Sequence, residues 1–318
     1  MTRSPERLGL TFAALCALNG AFVPAFAKLT TNAGDPVFVA TATTLFGAVF
    51  ATIVLWLRGD LHLLVHGRVA LRLLLVGTLG TAVAYILFFT GAQRSTAIET
   101  VICLQCEPAY SLLAAWIFLR HAPTPRRMLA IGVLLGGIVL AVGGRRFGVS
   151  SGVWLLLATP LCWQASHLIV LRRLRGVAPE VLSGARYIHG SVLLAVYWAK
   201  TGTAHHPAGP LLAGLLPLLA IQGMILSYVG TLLWYQAIAR IDLARTTAIV
   251  VPSAPLLSLA ASFLLLGEVP TGSQLAGLLL TVAGVLVFVT APDARRDTVR
   301  SPGAVAEFTP ACGSAGLA

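Results

Sequence analysis

Charge is scarce in this sequence: only 10% of its 318 residues are Asp, Glu, Lys or Arg, and just 11 are acidic. A soluble domain carries about 25% charged residues, so a solvated surface cannot be drawn from so few. An ordinary soluble enzyme and a disordered chain are both excluded. Cysteine is also thin. Cys16, Cys103, Cys106, Cys162 and Cys312 make five, and four of these lie in apolar runs; an odd number placed there is no disulfide framework. No P-loop pattern occurs, which leaves no ATP-driven reading for this chain. His62 and His66 stand four apart, but in a basic loop without a carboxylate pattern, so neither a metal site nor a cofactor is read from them.

What the chain has is hydrophobicity, 57% of residues with a mean hydropathy of +0.87, so lipid is the expected solvent. A spanning helix needs about 20 mostly apolar residues. Ten such runs are found, at 8–27, 36–57, 69–91, 98–119, 128–142, 152–171, 181–199, 211–239, 244–266 and 274–290. The fifth and tenth are short and fit only with little tilt. The start imitates a signal peptide, with Arg3 and Arg7 before an apolar run and Ala25-Phe26-Ala27 after it. It is read as a retained first span, because it is long and contains Asn19 and Pro24. Residues 291–318, rich in Gly, Pro, Ser and Ala, are expected to form a disordered cytoplasmic tail.

The net charge of +11 would suggest nucleic acid in a soluble protein, but the basic residues sit in short connections rather than a continuous stripe. Nucleic acid is therefore not an expected partner. With the N-terminus inside and ten spans, 16 Lys and Arg fall in cytoplasmic segments or at their span ends and 5 in outer ones, and Arg186 lies within a span. Such a bias places both termini in the cytoplasm, as in a multi-pass protein of the plasma (inner) membrane.

The chain also repeats itself. Residues 108–142 align with 255–289 at an offset of 147 without a gap, with nine of 35 positions identical. Among these are Pro108/Pro255, the Pro-Thr pairs Pro123-Thr124 and Pro270-Thr271, and Gly137/Gly284. Half of ten spans is an odd number, so the halves insert with opposite topology. Inverted repeats place a binding site near the midplane and permit alternating access. The stretch PLLSLAASFLLLGEVPTGSQLAGLLLTVAGVLVFV (255–289) resembles the hallmark of the EamA family in the drug/metabolite transporter superfamily. The first half repeats it, with Arg120-His121 in place of Gly267-Glu268, and Asn19-Gly20-Ala21-Phe22 is similar to the family's opening. The resemblance implies an all-α membrane protein of ten helices in two EamA repeats, 8–142 and 150–290, that moves small metabolites. Amino acids and drug-like amphipathic compounds are among the substrates it implies.

An ionisable residue at membrane depth is costly and marks function by default. Glu107, next to Pro108 in the fourth span, is the first candidate, for substrate-amine binding or proton coupling; its counterpart in the second half is Ala254. Glu99, Cys103, Cys106, Glu107 and Tyr110 follow helical spacing on one face, and Pro108 frees carbonyls there. Glu99 is expected nearer the outer surface, as a solvated loop end. Cys103-Leu104-Gln105-Cys106 is read as small packing residues rather than a redox or metal pair, with Gln105 a polar candidate in the same segment. Trp163, Gln164 and His167 share a face of the sixth span, either as a cavity wall or as an interhelical hydrogen bond. Tyr85 and Gln222 are further candidates for a cavity wall, and so is Asn19. Trp234 and Tyr235 are read as an interfacial aromatic belt. Pro252, Ser253 and Pro255 are expected to form a second broken helix facing Glu107. Arg186 lies within snorkelling reach of the cytoplasmic surface. A small-molecule substrate, the bilayer and proton coupling are thus the expected partners, and a homodimer is compatible with such a chain. An integral-membrane enzyme would need a cluster of catalytic His, Asp or Glu, and a regulatory protein of the same fold would lose its midplane polar groups; both stay open as rivals.

Overall fold

The computed structural model describes residues 5–119, 123–143, 150–201, 209–241 and 243–291. Arg120 and His121 and, apart from Ala291, the tail lie outside the described residues. Among the described residues every regular element is helical. The helices are α1 (Pro5–Ala33), α2 (Pro36–Arg58), α3 (Gly67–Gly77, Thr78–Val83 and Ala84–Gln93 in succession) and α4 (Ala97–Leu104 and Glu107–Leu119). The order continues with α5 (Pro125–Gly143), α6 (Ser151–Arg173), α7 (Pro179–Thr201), α8 (Pro210–Ala220, Ile221–Val229 and Gly230–Ile241), α9 (Leu243–Leu266) and α10 (Gly272–Thr290).

Nine of these segments are long and apolar enough to cross a membrane. The exception among the ten is α7, whose 23 residues suffice in length but include Arg186 and His189, which lower its hydropathy. The outward faces are apolar, with Trp56, Leu57 and Leu264 at least 70% exposed, as a lipid-facing surface requires.

Local chemistry sets the ends. Asp35 caps α2 by accepting from the Val37 and Phe38 amides at 2.9 and 3.0 Å, Pro36 opens the helix, and Gly59 closes it at φ +73°. The short fifth and tenth runs are longer as helices. Pro125 is accepted in the first turn of α5, and Thr271 forms a capping box with Gln274 ahead of α10. Each helix reaches 19 residues.

The repeat is visible in packing. On α5, Gly137 lies where a Cβ would meet the Gly277 carbonyl and Thr281 amide of α10 at 2.6 Å. On α10, Gly284 lies where a Cβ would meet the Leu134 amide at 2.6 Å and the Ala130 carbonyl at 2.9 Å on α5. The offset of 147 turns the first set into the second: 137 to 284, 130 to 277, 134 to 281. The interface thus exchanges into itself when the halves are swapped. Each half also has a widened π-type turn in its third helix, Thr78–Val83 in α3 and Ile221–Val229 in α8, at overlapping positions under the same offset. Such turns release backbone groups and often occur at functional sites.

Two expectations are corrected here. Glu99 is not a solvated loop end. It is 1% exposed and completes a capping box with Thr96, each bond 3.0 Å long, at the start of α4. α9 is not broken at Pro252 and Pro255 but runs continuously through both. The Ser253 hydroxyl donates to the Ile249 carbonyl at 2.7 Å, one way a membrane helix accommodates proline.

Candidate functional site

A cavity of about 250 Å³ lies between the halves, walled by α1, α3 and α4 of the first and α6, α7, α8 and α9 of the second. Pro108 has no N–H for the Leu104 carbonyl. The chain there makes two tight turns, Gln105 N to Ile102 O at 3.1 Å and Cys106 N to Cys103 O at 3.2 Å, before α4 resumes at Glu107. This break sends Gln105 and Glu107 to the cavity, together with Leu104 and Val101.

Gln164 of α6 donates from Nε2 to Glu107 Oε1 at 2.6 Å, and the Ser111 hydroxyl donates to Gln164 Oε1 at 2.9 Å. The carboxylate is thereby oriented by an amide that is itself fixed. Ala254, the repeat counterpart of Glu107, is also on the cavity wall, so the scaffold is paired and the charge is not.

Arg186 of α7 enters the same cavity. It is 6% exposed, so its head does not reach the cytoplasmic surface. Its guanidinium donates to the Gly80 carbonyl in the π-type turn of α3 and lies 3.5 Å from the Thr81 hydroxyl. The snorkelling expectation fails because rotation about the helix axis, not distance from the helix end, decides where the side chain goes. Among the described residues no ion pair joins Arg186 to Glu107.

The aromatic wall follows. Tyr85 and Tyr187 share a hydroxyl contact of 3.0 Å, and Tyr187 reaches the Thr231 hydroxyl at 2.9 Å, so α3, α7 and α8 are tied at the cavity edge. His167 stacks on Trp234 with centroids 5.9 Å apart and meets Tyr235 edge-on at 6.3 Å. Trp234 lines the cavity and Tyr235 is 1% exposed. Neither belongs to an interfacial belt, because both pack inward against α6. Asn19 donates to the Leu226 carbonyl in the π-type turn of α8 at 2.9 Å. Three buried polar atoms of cavity-lining residues, Gln105 Oε1, Trp163 Nε1 and Trp234 Nε1, have no hydrogen-bond partner among the described residues. Buried polar groups are normally paired, so these three atoms stand out.

Of the residues singled out by sequence, Asn19, Tyr85, Gln105, Glu107, Trp163 and His167 line the cavity. Gln164 stands behind Glu107. Tyr110 turns to the Leu157 carbonyl at 2.9 Å, Gln222 accepts from Thr30 at 3.0 Å, and Ser253 is bound to its own helix. The breaks in α4 and in the α-helical geometry of α3 and α8 disperse a face that ideal helical spacing draws as continuous. Arg186, Tyr187 and Thr231 were missed. The signal for Arg186 was present, since it is a charged residue set several positions in from either end of an expected span. Among the described residues no group of three or more His, Cys, Asp or Glu could hold a metal ion.

Comparison with known proteins agrees with this architecture. The model of the EamA-like transporter family matches residues 7–143 and again 150–290. A "Probable terminal-alkyne amino-acid exporter" of Streptantibioticus cattleyicolor is 28% identical over 239 residues, 72% of this chain and 76% of that one. An "Uncharacterized transporter" of Archaeoglobus fulgidus is 24% identical over 238 residues, 73% of this chain and 80% of that one. A crystal structure superposes with a TM-score of 0.61 at 19% identity, covering 87% of this chain and 96% of the other, which shows a shared fold. Two matches to one family model, one over each half of a multi-pass helical chain, identify it: the protein belongs to the EamA-like transporter family of the drug/metabolite transporter superfamily.

Proposed function

We propose that the protein is a secondary transporter, acting as an exporter, of small organic metabolites such as amino acids or amphipathic drug-like compounds. In this reading α1–α10 all cross the plasma (inner) membrane as two inverted five-helix halves, 8–142 and 150–290, with both termini in the cytoplasm. The observation that carries it is the cavity of about 250 Å³ walled by both halves, with the Glu107 carboxylate on its surface. Ligand pockets commonly measure about 300–1,000 Å³, so this space suits a compact solute. The α5–α10 contact, which maps onto itself under the repeat offset, supports halves that rock about a shared seam. The name of the Streptantibioticus cattleyicolor relative, a probable amino-acid exporter, supports an amino-acid-like solute and outward flux.

Glu107 is the group that binds a substrate ammonium or carries the coupling proton. Its fixed neighbour Gln164 sets its orientation, and Asn19, Tyr85, Gln105, Trp163 and His167 contact the solute. Proton exchange or solute exchange supplies the drive. The test is Glu107→Gln, which keeps size and hydrogen bonding but removes the titratable charge. In reconstituted vesicles it should abolish pH-dependent flux or cationic-group recognition at unchanged protein content. Unaltered flux with unaltered pH dependence overturns the assignment.

A further inference from the structure

Arg186 is a buried cation with only neutral partners. It bonds to the Gly80 carbonyl and the Thr81 hydroxyl, with the neutral Tyr187 and Tyr235 phenols against it. A guanidinium has five N–H donors in a planar fork suited to a carboxylate. The residue itself lines the cavity. Keeping a charge out of water is expensive unless an opposite charge meets it, and among the described residues no acidic side chain does so. The opposite charge in the same cavity, Glu107, is engaged by Gln164 instead. The two formal charges, one from each half, thus face one space without cancelling by contact.

We propose that Arg186 is the anion-binding residue of this cavity and takes the carboxylate of a zwitterionic solute whose ammonium is held by Glu107. The proposal rests on the transport reading above and specifies its substrate class. Balance of charge selects the zwitterion: a simple amine leaves Arg186 unmatched, and a simple carboxylate or a phosphate faces repulsion from Glu107. The arriving carboxylate competes with the Gly80 carbonyl for the same fork, so occupancy loosens the tie between α7 and the π-type turn of α3. That turn lies in the opposite half from Arg186, which links filling the site to movement between the halves.

The experiment uses the full chain in lipid nanodiscs and measures affinity for the twenty standard L-amino acids and, for each, the amine that lacks its carboxylate. At least one amino acid should bind, with its amine weaker by ~10-fold or more, the loss expected for a hydrogen-bonded charged group. Arg186→Gln should bring the amino acid down to the affinity of the amine while leaving the amine unchanged, and Arg186→Lys should restore part of the difference. Arg186 also holds α3, so Arg186→Gln could fail to fold; the comparison of amino acid with amine on the unaltered chain then decides alone. Equal affinity for amino acid and amine, absence of binding by every amino acid, or undiminished discrimination in Arg186→Gln overturns the proposal. If amines or neutral solutes are instead moved in a Glu107-dependent way, the transport reading stands and the role of Arg186 falls. If no solute of any class is moved, the transport reading itself falls.

Discussion

Gln164 occupies the space between Ser111 and Glu107 and bonds to both, at 2.9 and 2.6 Å. An amide used in this way aims the carboxylate without touching the cavity. Gln164→Leu keeps most of the volume and removes the donor. Leaving a buried partner unsatisfied costs about 1–3 kcal/mol, more for a charged group. The expected result is a lower unfolding temperature and reduced flux, while Gln164→Glu places a second carboxylate against the first and abolishes flux. Thermal unfolding in detergent together with vesicle flux checks both; unchanged values for the Leu variant would remove Gln164 from the site. The polar and aromatic residues of this site were legible in the sequence because each is expensive or unusual inside an apolar run. Their grouping was only partly legible. Tyr110 and Ser253 follow the right spacing but spend their hydroxyls on backbone carbonyls, which spacing does not reveal.

At the level of elements, α5 and α10 carry the sharpest expectation. A methyl group at Gly137 meets backbone of α10 at 2.6 Å, whereas Gly136 next to it has nothing within 4 Å. Gly137→Ala should therefore destabilise the protein by about 1–3 kcal/mol through overpacking. Gly136→Ala should be neutral or stabilising by up to about 1 kcal/mol through helix propensity. Comparing the unfolding temperatures of the two variants checks this, and the reverse order contradicts the packing. Glu268 belongs to the same scale. Its two carboxylate oxygens accept from the Ala97 and Ile98 amides at 3.2 Å each, so a loop of the second half caps α4 of the first. Glu268→Ala should cost about 0.5–2 kcal/mol, the usual worth of a cap, and speed amide exchange at the start of α4. Unchanged exchange there would argue against the cap. The Gly-Glu pair was visible as a motif, yet its partner lies 170 residues away in sequence, so its task was not. Helix positions, by contrast, follow from apolar run length, prolines and capping residues, and those signals are local. The continuity of α9 was misread because a proline pair says that bonds are lost, not what replaces them.

For the whole molecule, composition alone settles that lipid is the solvent, and the internal repeat points to two related halves. The cavity between them depends on how α1, α3 and α4 rotate against α6, α7, α8 and α9, which no single segment encodes. The scarcity of charge takes on a second meaning in the structure. Most basic residues lie at helix ends and connections, and the few charges inside are placed: Glu107 and Arg186 face one cavity, one from each half. The proposed orientation predicts that a tag at the C-terminus is protected from labelling applied outside intact cells; labelling from outside would overturn the ten-span arrangement. The most direct test of the central claim is a comparison of small-solute efflux and uptake in three cell lines, lacking the protein, expressing it, or expressing Glu107→Gln at equal membrane abundance. The account predicts that at least one small organic solute moves faster with the unaltered protein and that Glu107→Gln removes the difference. Identical solute profiles in all three lines would contradict it.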